Sequence, residues 1–187
     1  MNEKTIVQFV GFITGIEFDK FVVRWEYYVQ QLKDNKMKAT LQKQRSTKNR
    51  YKYISQHSGN HQDFNFAFMK KRQSEHFPEH EAKVVHMGGY FPLQKESSRL
   101  DRQELVNIMV FVKELDADVD AYRQLQHYRK LNIYQAYFEN CAYGYIMEFF
   151  VKDADAAKFI LQLDGRMATA HSADEVGLYE EYSLLHA

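Results

Sequence analysis

The chain has 187 residues, and its 25 basic and 25 acidic side chains bring the formal charge to zero. A chain of this length buries roughly 70% of its unfolded surface, enough for one ordinary core or two small fused ones. The balanced charge gives no field to gather nucleic acid or an anionic membrane surface, and a single cysteine, Cys141, excludes an internal disulfide.

The opening stretch "MNEKTIVQFVGFITG" alternates like a strand, is broken by Gln8 and lacks a small-residue cleavage site, so no signal peptide is expected. No window approaches the roughly 18 apolar residues of a membrane span, and the expected location is cytoplasmic. With 13 Tyr and 14 Phe against two Pro, the composition favours a sheet-rich core. A strand over 6–13 leads into a helix in which Phe18, Phe21, Val22, Trp25, Tyr28, Val29 and Leu32 recur three and four residues apart. "ATLQKQRSTKNRYKYISQH" reads as a hairpin turning at "STKN". Its lysines and arginines suit protection of an edge strand better than a nucleic-acid track.

Residues 56–90 hold five of the eight histidines: His57, His61, His76, His80 and His86. "HFPEH" spaces His76 and His80 four apart, but Pro78 between them breaks the helix face that a metal pair needs, so no metal is expected there. "DFNFAFM" places Phe64, Phe66 and Phe68 at a period of two, which favours an extra strand, while Phe64 and Phe68 also fit one helical turn; with the strand, a short helix follows near "SEHFPEH", capped by Ser74. In "KVVHMGGY", His86 shares a strand face with Val84, and Gly88 and Gly89 predict a bulge that a backbone or ligand can approach closely.

The second half opens on a strand over 105–112 and a helix over 117–128, capped by Asp116 or Asp118, with Val119, Tyr122 and Leu125 inward. Strands over 132–139 and 143–151 follow, joined near Asn140, with Cys141 in the turn as a structural residue. Asp153 then caps a helix with a face of Ala156, Ala157, Phe159, Ile160 and Leu163, and a strand over 175–183 ends the chain's pattern.

The two halves repeat one another. "IVQFVGFI" overlies "LVNIMVFV" at an offset of 99, which places Gln8 on Asn107; the hairpins overlie at 93 and 92, which place Gln42 on Gln135 and Gln56 on Glu148. Both halves follow the order β-α-β-β-α-β, with boundaries at 1–97 and 98–187, an α+β class of two ferredoxin-like repeats. Val106, Ile108, Val110 and Val112 alternate with Asn107, Met109 and Phe111, so both faces of that strand need cover. Helices cover one face, and the duplicate half covers the other. On "IVQFVGFI", "LVNIMVFV" and the paired hairpins the chain resembles the dimeric α+β barrel superfamily, with its two units fused in tandem and packed sheet to sheet. Members include monooxygenases of antibiotic biosynthesis, haem-degrading enzymes, chlorite dismutases and small stress-response proteins, with ligands between sheet and helices. The resemblance implies a ligand pocket and brings haem as the cofactor to test, although no permanent cofactor is expected. Haem-degrading relatives use a first-strand asparagine, matched by Asn107, with a tryptophan and a histidine from helices; the single tryptophan, Trp25, lies in the other half.

A carboxylate buried between Ile146 and Phe150 would have a raised pKa suited to proton transfer, which makes Glu148, with Asn107, the candidate catalytic pair. Gln56, His57, His86 and Tyr90 are the candidate ligand-binding residues. The function read from the sequence is binding of a small apolar or aromatic ligand in a barrel pocket, with monooxygenase-like chemistry, by a monomer or homodimer. The alternative is a non-catalytic protein that self-associates through its aromatic surfaces.

Overall fold

Apolar side chains line both faces of nearly every strand, and the two faces are covered in different ways. The computed structural model describes residues 5–33, 37–45, 49–95, 105–170 and 173–182. Its strands are β1 (Thr5–Thr14), β2 (Lys38–Gln44), β3 (Tyr53–Asn60), β4 (Ala82–Gln94), β5 (Leu105–Val112), β6 (Tyr128–Ala136), β7 (Tyr145–Lys152) and β8 (Ala173–Tyr182). The helices are α1 (Phe18–Lys33), α2 (Phe66–His76), α3 (Val119–Arg123) and α4 (Ala156–Ala170).

The strands close into one antiparallel barrel in the order β1-β3-β2-β8-β5-β7-β6-β4. The sheets of the two halves therefore join edge to edge, where the sequence suggested two stacked layers. Stacking would leave β2, β4, β6 and β8 with unpaired edges; pairing Leu41–Gln44 with β8, and Tyr90–Gln94 with β6, satisfies them. The basic hairpin is thus no protected edge: β2 is paired on both sides, and Tyr51 and Tyr53 are buried.

Closure separates the core into three clusters. Inside the barrel pack Val7, Phe9, Ile54, Met87, Met109, Phe111 and Ile146. Outside the first half, Val10, Phe12 and Leu41 meet Phe21, Trp25 and Leu32 of α1 and Met69 of α2. Outside the second half, Val106, Ile108 and Phe149 meet Tyr122 of α3 and Phe159 and Leu163 of α4. Each such fully buried side chain contributes about 1.5–3 kcal/mol before its ordering entropy is subtracted. Aromatic rings fill the lumen edge to face, with Phe9 at 5.0 Å from Tyr134 and 5.4 Å from Tyr90. Glycine at position 11 is required, because a Cβ there would lie 2.3 Å from Cδ1 of the Tyr51 ring that crosses the lumen. The bulge read at the glycine pair is present: the β1–β4 register slips between Phe9 and Val10, leaving Met87 extra, and Gly88 has φ 118°.

Several elements differ from expectation. The "DFNFAFM" segment begins α2 and adds no strand, because Asn65 caps the helix by accepting the Phe68 N–H at 3.0 Å. Ser74 lies inside that helix, its hydroxyl donating to the Lys70 carbonyl. Helix α3 covers only 119–123, capped by Asp118, since His127 takes φ 75° and the chain turns into β6 at Tyr128. Asp153 opens a 3-10 turn ahead of α4, and Ala157 faces solvent.

Candidate functional site

Two of the polar clusters that interrupt the apolar packing lie one on each side of the barrel wall and hold the sequence-derived candidates other than Tyr90. Inside the barrel, Glu148 on β7 is 2% exposed. Its Oε2 accepts from Gln56 Nε2 at 2.8 Å and Asn107 Nδ2 at 2.9 Å, and Asn132 Nδ2 approaches Oε1 at 3.5 Å. Strand register brings them together: Asn132 lies opposite Glu148 on β6, Met109 opposite it on β5, and Asn107 is two residues along the same face. Burial first, then the nearby charge of Glu148 and the hydrogen bond to it, hold the Tyr134 phenol well above its ordinary range. A buried carboxylate ringed by oriented neutral donors is the physical solution to holding an anion out of water.

Outside the barrel, under α1 and α2, lies the second cluster. Trp25 Nε1–H donates to Ser55 Oγ at 2.9 Å, and Ser55 Oγ lies 2.9 Å from His57 Nε2. Ser55 has one hydroxyl proton and no other acceptor for it, so it donates to Nε2 and the neutral imidazole carries its proton on Nδ1. That Nδ1 is buried and has no partner. His57 is fully buried, and burial, with His86 second, drives its pKa down to about 3. Gln8 lies directly opposite His57 across the β1–β3 ladder. From α2, Gln73 Nε2 donates to the Tyr28 hydroxyl at 2.7 Å and to Gln8 Oε1 at 3.3 Å, which leaves the fully buried Gln73 Oε1 without a donor. Tyr28 touches His57 edge to face at 5.3 Å. His86 presents a buried, unpartnered Nδ1, and its pKa is lowered by burial and by Lys70 of α2.

Two of the sequence-derived candidates, Gln56 and Asn107, thus converge on the carboxylate of a third, Glu148, while His57 and His86 share the opposite face of the wall. Tyr90 lines the lumen but is saturated, donating toward the Met87 and Tyr143 carbonyls and accepting from Tyr143 N–H. The other three histidines of residues 56–90 disperse: His61 borders Tyr137, His76 meets Gln31 and His80 meets Glu81. Among the described residues no group of three metal-type side chains forms. Sequence reading missed Ser55, Gln73, Tyr28, Asn132 and Tyr134. Asn132 and Tyr134, two apart on one strand face, carried a period-two signal; the others are joined to their partners by the fold alone.

A closed eight-stranded antiparallel barrel, with helices outside each half and polar groups buried in both layers, is the dimeric α+β barrel fold, formed here within one chain. Solved structures of that shape include chlorite dismutases. A variant from Candidatus Nitrospira defluvii in complex with cyanide aligns at TM-score 0.60 and 9% identity, over 98% of this chain and 93% of that one. The same organism's enzyme in complex with imidazole aligns at 0.53 and 9%, over 100% and 94%. A candidate chlorite dismutase aligns at 0.56 and 11%, over 96% and 95%. No family model matches the chain, and no curated protein matches it by sequence.

The described residues do not fit an axially ligated haem. In the second half the space between sheet and helices is filled by Tyr122, Phe149, Phe159 and Leu163, and no described side chain of α3 or α4 is a histidine. In the first half the buried His57 and half-buried His86 sit on strands, in the layer of Trp25, Tyr28 and Phe77. Asn107, matched to a haem-pocket asparagine, faces the lumen and not the helix layer.

Proposed function

We propose that the protein is a small-ligand-binding α+β barrel, built as two ferredoxin-like repeats at 1–97 and 98–187, that seats its ligand under α1 and α2 against β1, β3 and β4. The carrying observation is the set of buried polar atoms without partners there: His57 Nδ1–H as donor, Gln73 Oε1 as acceptor and His86 Nδ1. A buried unpaired polar group costs about 1–3 kcal/mol, so three in one layer are better explained by an absent partner than by tolerance. The surrounding Trp25, Tyr28 and Phe77 suit a flat, largely apolar ligand with one hydrogen-bonding edge. Neutral His57, fixed in one tautomer by Ser55, is the group that would position such a ligand or exchange a proton with it, without haem.

Native mass spectrometry of the purified full chain, followed by thermal-shift screening of small neutral heteroaromatics, tests this. Binding lost in His57→Ala and Gln73→Leu supports it, and haemin titration should give no Soret band of a ligated haem. A ligated-haem spectrum, or ligands that bind both variants unchanged, would overturn it. One observation favours the alternative of self-association: Val23 and Tyr27, one turn apart on α1, are 56% and 65% exposed. Concentration-dependent sedimentation abolished by Val23→Ser with Tyr27→Ser would support that reading.

A further inference from the structure

We infer that the polar end of the barrel lumen binds an ammonium-type cation, either the free ion or the terminal group of an amine. Glu148 makes no ion pair among the described residues, and its donors, Gln56, Asn107, Asn132 and Tyr134, are all neutral. Asn107 turns its amide N–H toward Glu148, which leaves its Oδ1 buried and without a donor. Gln42, also 2% exposed and on the lumen face, leaves its Oε1 in the same condition. The two residues stand on the strands that flank β8. This end of the lumen therefore combines one negative charge with two orphan acceptors, and neither orphan is a donor. The chemistry that completes it is a small group with N–H donors and a positive charge.

The internal cations do not supply that charge. Lys130, next outward from Asn132 on the same strand face, holds its ammonium over the Phe150 ring at 5.4 Å. Lys38 and Lys152, in lumen-facing register, lie farther out at the rim. On the rim side Gln56 and Thr40 are half-buried, and Glu181, paired with Gln42, is exposed. A divalent metal is a poor match, since Gln56, Asn107 and Asn132 gather on a single carboxylate, Glu148, and Glu181 opposite Gln42 is exposed.

The experiment is thermal unfolding of the full chain at constant ionic strength, in ammonium, methylammonium, potassium or tetramethylammonium chloride. Ammonium and methylammonium should raise Tm by roughly 3–6 °C at tenfold excess over Kd. Tetramethylammonium, which lacks N–H donors, and potassium should not. Glu148→Gln should abolish the response. Gln42→Leu, which replaces an orphan polar group with an apolar one of similar volume and should fold, should raise the half-saturating concentration at least tenfold. Equal responses to all four cations, no ammonium response in the wild type, or an unchanged response in Gln42→Leu would each overturn the inference in favour of a lumen closed by water.

Discussion

Ser55→Ala tests the relay beneath α1 most directly. Among the described residues the serine hydroxyl is the only hydrogen-bond partner of two fully buried groups, accepting from Trp25 Nε1–H and donating to His57 Nε2. Its removal strands one donor and one acceptor in an apolar layer, at about 1–3 kcal/mol each. The expected loss is about 2–6 kcal/mol, or a fall in Tm of about 4–24 °C for a chain of this size. Urea denaturation measures the loss, and long-range nitrogen–proton NMR of the imidazole reads the tautomer. The wild type should show a protonated Nδ1 and a bare Nε2. In a double-mutant cycle with Trp25→Phe the two substitutions should couple, since each breaks one link of the same relay. A loss under about 1 kcal/mol with additive effects, or a wild-type imidazole protonated on Nε2, would refute the tautomer and the ligand geometry built on it.

Acid should destabilise the fold through the same histidine. An unfolded histidine takes a proton near pH 6.5, whereas folded His57 refuses one until about pH 3, so its contribution is complete above pH 6.5 and is lost as pH falls below that value. The slope reaches about 1.4 kcal/mol per pH unit, and His86, lowered by burial and Lys70, acts in the same direction. His57→Gln should flatten the acid limb of stability measured between pH 7 and 4; an unchanged limb would assign it elsewhere. Gly11→Ala should cost about 2–3 kcal/mol in equilibrium unfolding, because its Cβ meets the Tyr51 ring and Met87, while Gly15→Ala, with nothing within 4 Å, should stay within about 0.5 kcal/mol.

Much of the fold was legible because its periodicities are strong. The apolar stripe from Phe18 to Leu32 became α1, and the alternation in 105–112 became a strand covered on both faces. The failures have physical causes. Phe64, Phe66 and Phe68 satisfy both a strand and a helix, and the choice was made by Asn65 as a cap, which outweighs two-residue alternation over so short a run. Edge-to-edge closure was hidden because strand composition does not say which edge is left to pair. The lumen cluster was half visible: Gln56 and Glu148, matched by the repeat, are hydrogen-bonded to each other. The layer under α1 was visible only as His57 and His86, because Gln73 and Ser55 become informative once a helix is laid over a particular strand.

The matched pair Gln8 and Asn107 shows where a repeat misleads. In the structure Gln8 points toward Gln73 in the helix layer, while Asn107 points toward Glu148 in the lumen. The offset of 99 is therefore one residue out of phase, as Val7 inside the barrel and Val106 beneath the helices also show. A slip of one residue reverses every side chain on a strand, yet costs nothing in apparent similarity when both faces are apolar. Gln135, matched to lumen-facing Gln42, likewise bonds the helix-side Tyr145. Of the three matched polar pairs, only Gln56 and Glu148 share a face. The first half consequently places polar groups on both sides of the wall, an imidazole and amide layer under its helices and Gln42 and Gln56 in the lumen, whereas the buried polar side chains of the second half, Asn107, Asn132 and Glu148, all face the lumen. Two halves of the same element order supply the barrel, and polar side chains that fall out of phase between them give the halves different chemistry.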